Sequence, residues 1–265
     1  MEITDIASDL RDEQDALDQV VANLDEHSWG LSTPSPRWSV ADQIAHLTYF
    51  DYTAAIAIAD PDHFKELVTD LISNAGGGDE SVDDFTLGEY RKLSSSELLE
   101  EWRSQRKNLA AAAKSLDNET RVEWYGPSMG ARSFLTARLM EVWAHGQNIV
   151  DTVGGHRTPT DRLRHIAQLG VITRKWTYLN RNLDAPVDEV LVSLTAPSGE
   201  LWSWGPEDSD SSVEGSAEDF CLVVTQRRHL DDTALIARGD SAQDWLLKAQ
   251  AFAGPPTDGP NAGGH

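Results

Sequence analysis

Two side chains one helical turn apart pose the chemical question: Glu141 and His145, in the segment ARLMEVWAHGQNIVD. On a helix, residues i and i+4 lie about 40° apart around the axis, so a carboxylate oxygen and an imidazole nitrogen come within reach of each other. The pair can be a surface salt link, a buried hydrogen bond, or two ligands of a divalent ion. His46, in SVADQIAHLTYFDY, offers a third donor from another helix. It would complete a two-histidine, one-carboxylate set with open positions, the arrangement of catalytic zinc and one that also suits iron or nickel. Spacing alone leaves these alternatives open. A Glu-x-x-x-His pair is more often a hydrogen bond, and a histidine beside an apolar stripe is more often a core residue with satisfied nitrogens. Asp42, one turn before His46, can orient that imidazole from behind or serve as the acid of a helix cap.

The elements that must position these residues are helices. ITDIASDLRDEQDALDQVVANL repeats its apolar residues at helical spacing. SVADQIAHLTYFDYTAAIAIAD opens with Ser39 and carries Asp42 three residues later, so a helix starts at Ser39 and ends near Asp60-Pro61. DHFKELVTDLISNA reads as a shorter helix and GGGDESVDD as a loop. A third long helix follows Ser94–Ser96, VEWYGPSMGARS is a turn-rich connector, and FLTARLMEVWAHGQNIVDTV is a fourth, stopped by Gly154-Gly155. Four long helices suggest an antiparallel bundle. On the last of them, Leu135, Leu139, Val142, Gly146, Ile149 and Val153 form one stripe, which Glu141 and His145 flank. After Thr158-Pro159 the pattern changes. One more helix (160–180) leads to the β-rich segments DEVLVSLTAP and ELWSWG, then SAEDFCLVVTQRRH as a helix, TALIARG as a strand and SAQDWLLKAQAFA as a last helix. The expected organisation is a bundle over 1–158, a small α+β domain over 159–254 and a disordered tail over 255–265.

Composition narrows the classes of function. The 265 residues include 22 Lys+Arg against 44 Asp+Glu, a net charge of −22. Such a chain repels nucleic-acid phosphates and anionic lipid heads, which excludes both as partners. A single cysteine, Cys221, allows no internal disulfide and points to a reducing, cytoplasmic compartment; flanked by Phe220 and Leu222, it reads as buried and inert. The N-terminus has no apolar core of a signal peptide, and no run approaches the roughly 20 residues of a membrane span. Gly76–Gly78 lack the Lys-Ser/Thr of a phosphate loop. Arg91, Arg132 and Arg138 read as helix-surface residues. Gln147 and Asn148 read as polar surface, and His156, His165 and His229 as loop or surface residues. Trp38, Trp124, Tyr125 and Trp143 read as aromatic core before pocket wall.

A resemblance sharpens these alternatives. TPSPRWSVADQIAHL resembles the entry to the second helix of the DinB-like superfamily, with its Trp-Ser/Thr-Val-x-x-x-x-x-His-Leu signature, and LMEVWAHGQNIVD resembles that superfamily's Glu-x-x-x-His. More narrowly, the chain is similar to the mycothiol-dependent maleylpyruvate isomerase branch of actinobacteria. Its closest likeness there is a metal-binding subfamily with WYGPSMGARS, WAHGQ and CLVVTQRRH much as they stand here. The resemblance implies a DinB-like four-helix bundle followed by a sterol-carrier-like α+β domain. It also implies His46, Glu141 and His145 as ligands of a divalent metal, with zinc first and nickel or iron as alternatives. Gly215, Ala217, Asp219 and Arg227 match the branch's Gly-x-Ala-x-Asp…Arg pattern, in which the arginine holds an anionic substrate; the simpler reading makes Arg227 and Arg228 the basic end of a helix. The expected function is a mycothiol-dependent isomerase or S-transferase acting on a small electrophile, as a monomer or homodimer. The alternative is a non-enzymatic metal-containing protein that binds a small molecule or lipid.

Overall fold

The computed structural model describes residues 2–264; Met1 and His265 lie outside the described residues. The chain divides into two units, Met1–His156 and Arg157–His265.

In the first unit, α1 (Ile3–Val21), the one-turn α2 (Glu26–Trp29) and α3 (Val40–Ala59) are followed by α4 (Pro61–Asn74), α5 (Asp79–Leu87) and α6 (Ser95–Ala112). A two-residue hairpin, β1 (Arg121–Val122) with β2 (Met129–Gly130), leads into α7 (Ala131–Val153). The four long helices form a closed ring of neighbours: α3 packs on α6 and α7, and α1 packs on α7 and α6. Helix starts follow local chemistry. Ser39 Oγ accepts the Asp42 N–H while the Asp42 carboxylate accepts the Ser39 N–H, and Ser94 and Glu97 do the same for α6. At the other end of α7, Gly154 takes the left-handed conformation (φ +63°) that ends the helix.

Two expectations change here. The segment read as a loop after α4 is largely α5. It is held by packing of Leu87 and Thr86 and by an ion pair from Asp83 to Arg37 at 2.9 Å, neither of which leaves a periodic sequence signal. Arg138, read as surface, is buried on α7. Its Nη2 lies 2.8 Å from Oδ1 of fully buried Asp51 on α3. The other Asp51 oxygen accepts from Gln14 Nε2 of α1 (3.0 Å) and Trp102 Nε1 of α6 (3.3 Å). One carboxylate therefore ties all four long helices together.

The second unit begins with α8 (Leu163–Ile172) and α9 (Arg174–Asn180), which divide the single helix expected over 160–180. A four-stranded sheet follows, from β3 (Leu191–Thr195), β4 (Leu201–Trp204), β5 (Ser212–Ser216) and, after α10 (Ala217–Val224), β6 (Ile236–Arg238); α11 (Asp240–Leu246) ends the regular structure. The order is β4-β3-β5-β6, with β3 and β5 parallel and the outer pairs antiparallel. Strand β5 escapes sequence reading because SVEGS is mostly polar and its alternation is weak. Helix α10 packs on the sheet and on α8, where a Cβ on Gly170 would meet Val224 and Phe220 at 2.9 and 3.0 Å. Residues 255–264 form no helix or strand. They are nonetheless tethered: Thr257 Oγ1 donates to Gln226 Oε1 (2.6 Å), Gly263 N–H to Asp232 (2.8 Å), and Arg181 pairs with Asp258 (2.7 Å). No helix among the described residues is long and apolar enough to cross a membrane.

Two outcomes follow. Asp51→Ala strands Arg138 and should lower unfolding free energy by about 3–5 kcal/mol in urea titrations. Replacing Asp51 and Arg138 together by Leu and Met should recover most of that loss. Cys221 is fully buried in α10, and burial, with Glu218 nearby, pushes its thiol well above the usual range. A thiol reagent at pH 8 should leave the native protein unlabelled and take up one equivalent in concentrated guanidinium.

Candidate metal centre

Helix α3 presents Gln43 and His46, and α7 presents Glu141, His145 and Asn148, on the facing sides of a packed helix pair. One donor atom from each of His46, Glu141 and His145 lies within 4.8 Å of the other two. Glu141 Oε2 is 3.0 Å from His145 Nε2 and 3.8 Å from His46 Nε2, and the two imidazole centroids are 4.3 Å apart. The side chains of His46, Glu141 and His145 are 17%, 26% and 10% exposed, so the cluster is mostly, though not fully, buried.

The orientation of His145 is set from behind. Gln43, fully buried between Val40, Ile44 and Leu47, directs its amide nitrogen to Thr33 Oγ1 (2.8 Å) and its oxygen to His145 Nδ1 (2.5 Å). Asn148 Nδ2 supports that oxygen at 3.5 Å and donates to Ser35 Oγ at 2.9 Å. The Gln43 oxygen suits the tautomer with its proton on Nδ1, which leaves the Nε2 lone pair for a cation; with a proton on Nε2, the ring donates to Glu141 Oε2 at 3.0 Å. Burial depresses the His46 pKa, only partly offset by Glu141. Burial raises that of Glu141, but hydrogen bonds from His145 and His46 outweigh it and hold the carboxyl well below the usual range. A depressed His46 pKa and an ionised Glu141 favour the forms that ligate a divalent ion, so the donor set fits one.

Aromatic rings wall the cluster. The Trp38 ring lies 4.9 Å from His46 and 5.8 Å from His145, and Phe50 lies 4.6 Å from His46. Trp38 is held by a tight loop, in which its carbonyl accepts from Thr33 N–H and Oγ1, both at 2.8 Å. Phe50 in turn lies 6.0 Å from the Arg138 guanidinium. Trp38 is thus a wall, whereas Trp124 stacks on Phe64 and meets Phe134 edge-on.

Asp42 lies away from the role of orienting His46. Its oxygens accept from Ser39 and from Arg91 Nε (2.7 Å), so it caps α3 and anchors Arg91. The orienting residue is Gln43, one position along. Its signal in the sequence was a polar amide between core positions, which must find partners when buried. Asn148, read as surface, is buried, as is His165 on α8. Arg227 and Arg228 follow α10 instead of ending it. Gln226 adopts φ +58°, the Arg227 N–H bonds to the Leu222 carbonyl (2.7 Å) and the Gln226 N–H to that of Val223 (3.0 Å), a left-handed helix stop. Arg227 Nη1 donates to the Thr225 carbonyl at 2.5 Å.

Residues 10–150 match the family model described as mycothiol maleylpyruvate isomerase N-terminal domain, and residues 186–238 match one described as wyosine base formation. An uncharacterized protein of Mycobacterium tuberculosis, found in two strains, is 46% identical over 252 residues, covering 95% of this chain and 96% of the relative. Two crystal structures of mycothiol-dependent maleylpyruvate isomerase, one of them a mutant, share the fold. Their TM-scores are 0.58 and 0.59 at 15% and 16% identity, with 97% of both chains covered in each case. With its first unit matched almost throughout and nearly all of its length shared with these relatives, the chain belongs to the mycothiol maleylpyruvate isomerase family of the DinB-like superfamily.

Proposed function

We propose that His46, Glu141 and His145 hold a divalent metal ion and that the protein is a mycothiol-dependent isomerase or S-transferase of a small, unsaturated carboxylic electrophile. The observation that carries this reading is the convergence of His145 Nε2 and His46 Nε2 on one Glu141 oxygen, at 3.0 and 3.8 Å. Zinc is the first assignment, and nickel or iron suit the same donors. Among the described residues no fourth His, Cys, Asp or Glu joins the group. Three protein ligands leave room for an exogenous one, which favours a catalytic over a closed structural site.

Bound there, the ion would lower the pKa of a coordinated thiol, so that thiolate forms near neutral pH. Gln43 holds the orientation of the His145 ring through Nδ1, and Trp38 and Phe50 wall one side of the cluster. The proposed chemistry is reversible addition. The thiolate sulfur bonds to a carbon of a conjugated C=C, and the electron pair moves onto the carbonyl. The resulting single bond rotates, and return of the pair expels the thiolate. The solved neighbours are named mycothiol-dependent, and this suggests mycothiol as the thiol here; at 16% identity, maleylpyruvate itself is not carried over. Arg227 is assigned to pair bidentately with the substrate carboxylate, a positive anchor within a chain of net charge −22. We read the first unit, bounded near 158, as a DinB-like four-helix bundle, and 159–254 as sterol-carrier-like. The working state is a cytoplasmic monomer or homodimer.

Cobalt-loaded protein tests the centre. It should bind one ion per chain, and mycothiol should add a sulfur-to-cobalt charge-transfer band that glutathione produces more weakly. Both His46→Ala and His145→Ala should lose the ion. Gln43→Ala should keep the ligands but weaken affinity by about 10–100-fold. Protons compete for the same lone pairs, so occupancy should fall as pH drops below about 6. Stoichiometric metal in each single histidine variant, or no band at saturating thiol, would refute the reading. For the anchor, Arg227→Ala should leave metal content and melting temperature unchanged while lowering turnover of an anionic substrate at least tenfold, about 1.4 kcal/mol. An equal loss in Arg228→Ala would return both arginines to a structural role.

A further inference from the structure

The loop between α2 and α3 is strained at one residue. In Ser35-Pro36-Arg37-Trp38 the Trp38 N–H bonds to the Ser35 carbonyl at 3.1 Å, which closes a four-residue turn. Pro36 stands at its second position, where the ring fixes a negative φ. Arg37 stands at the third with φ +69°, so the turn is of type II, and that position favours glycine or asparagine. A bulky side chain persists in such a conformation only when its surroundings hold it there. Arg37 is held by α5. Its Nε and Nη2 both donate to Asp83 Oδ2, at 3.2 and 2.9 Å, and Asp79 lies 4.0 Å away. Asp83 is only 7% exposed, so the loop is anchored on a buried carboxylate. The next residue is Trp38, with its ring 4.9 Å from that of His46 and 5.8 Å from that of His145. The loop is also tied to the two amides beside His145. Thr33 Oγ1 accepts from Gln43 Nε2 (2.8 Å), and Ser35 Oγ accepts from Asn148 Nδ2 (2.9 Å). It therefore hangs at three points, two beside His145 and one on α5.

We propose that Arg37 is a positioning residue for the metal centre: its ion pair with Asp83 holds the left-handed turn that keeps the Trp38 ring against His46 and His145, and that wall slows escape of a bound ion. The functional half of the proposal rests on the metal reading; the placement of the ring is measurable in metal-free protein. The competing account is that the ion pair only pins α5.

NMR of the histidine Hε1 protons in the metal-free, full-length protein reads the wall. The ring current of Trp38 shifts the His46 and His145 signals, and Trp38→Leu defines their positions without it. Arg37→Gly suits the positive φ and removes the side chain; it should move both signals most of the way to those positions. Arg37→Lys, which keeps the charge, should move them little. If the unpaired Asp83 unfolds the glycine variant, Arg37→Gly combined with Asp83→Leu decides the matter and should give the same shifts. In cobalt-loaded protein, Arg37→Gly should bind the same one ion per chain and release it to EDTA at least about tenfold faster, as when the support of a ligand is lost. Unmoved histidine signals in the glycine variants, or release at the parent rate, would each overturn the proposal and leave the pair as a pin for α5. Absence of metal uptake by the parent protein would sink the metal reading instead, and the histidine signals would still judge whether Arg37 places the ring.

Discussion

The buried carboxylate of Asp51 is the constraint on which the first unit depends. A fully buried charge is tolerable only when each lone pair is met, and Asp51 is met by Arg138 from α7, Gln14 from α1 and Trp102 from α6. Those partners come from every other long helix, so the charge can be satisfied only when all four are assembled in one register. Apolar burial of leucines such as Leu17, Leu47, Leu109 and Leu135 supplies the larger share of the driving force. It is non-directional, however, and tolerates sliding. The Asp51 network does not.

That register is also what makes the candidate centre possible. Asp51 lies five residues after His46 on α3, and Arg138 lies three before Glu141 on α7. Clamping the first pair therefore fixes the distance between the second. The aromatic contacts continue the link, with Arg138 near Phe50 and Phe50 against His46. On the other side, Gln43 bridges α3 to His145 directly and recruits Thr33, whose loop carries Trp38. The two histidines and the glutamate are thus held by polar contacts on one side and aromatic packing on the other. Rigid support of this kind is what a metal site requires of its surroundings.

The sequence by itself determined the local events. Ser39 with Asp42 and Ser94 with Glu97 place helix starts through bonds made within three residues, Gly154 ends α7 because its conformation suits glycine, and the period of Leu135, Leu139 and Val142 marks a buried face. Glu141 and His145 were legible as a pair because i and i+4 always meet on a helix. His46 entered as their partner because a family signature named it. What only the tertiary structure decided were the meetings between helices. The burial of Arg138 depends on Asp51 across 87 residues, the orientation of His145 on Gln43 across 102, and the closeness of His46 to Glu141 on how α3 packs against α7. Asp42 reads equally well as a cap or as a support, and only the position of Arg91 resolves it. Helix α10 stops at Val224, and β5 forms from a largely polar segment, for the same reason. Periodicity encodes which side of an element faces inward, whereas the partner it meets there is set by long-range packing that no local spacing records.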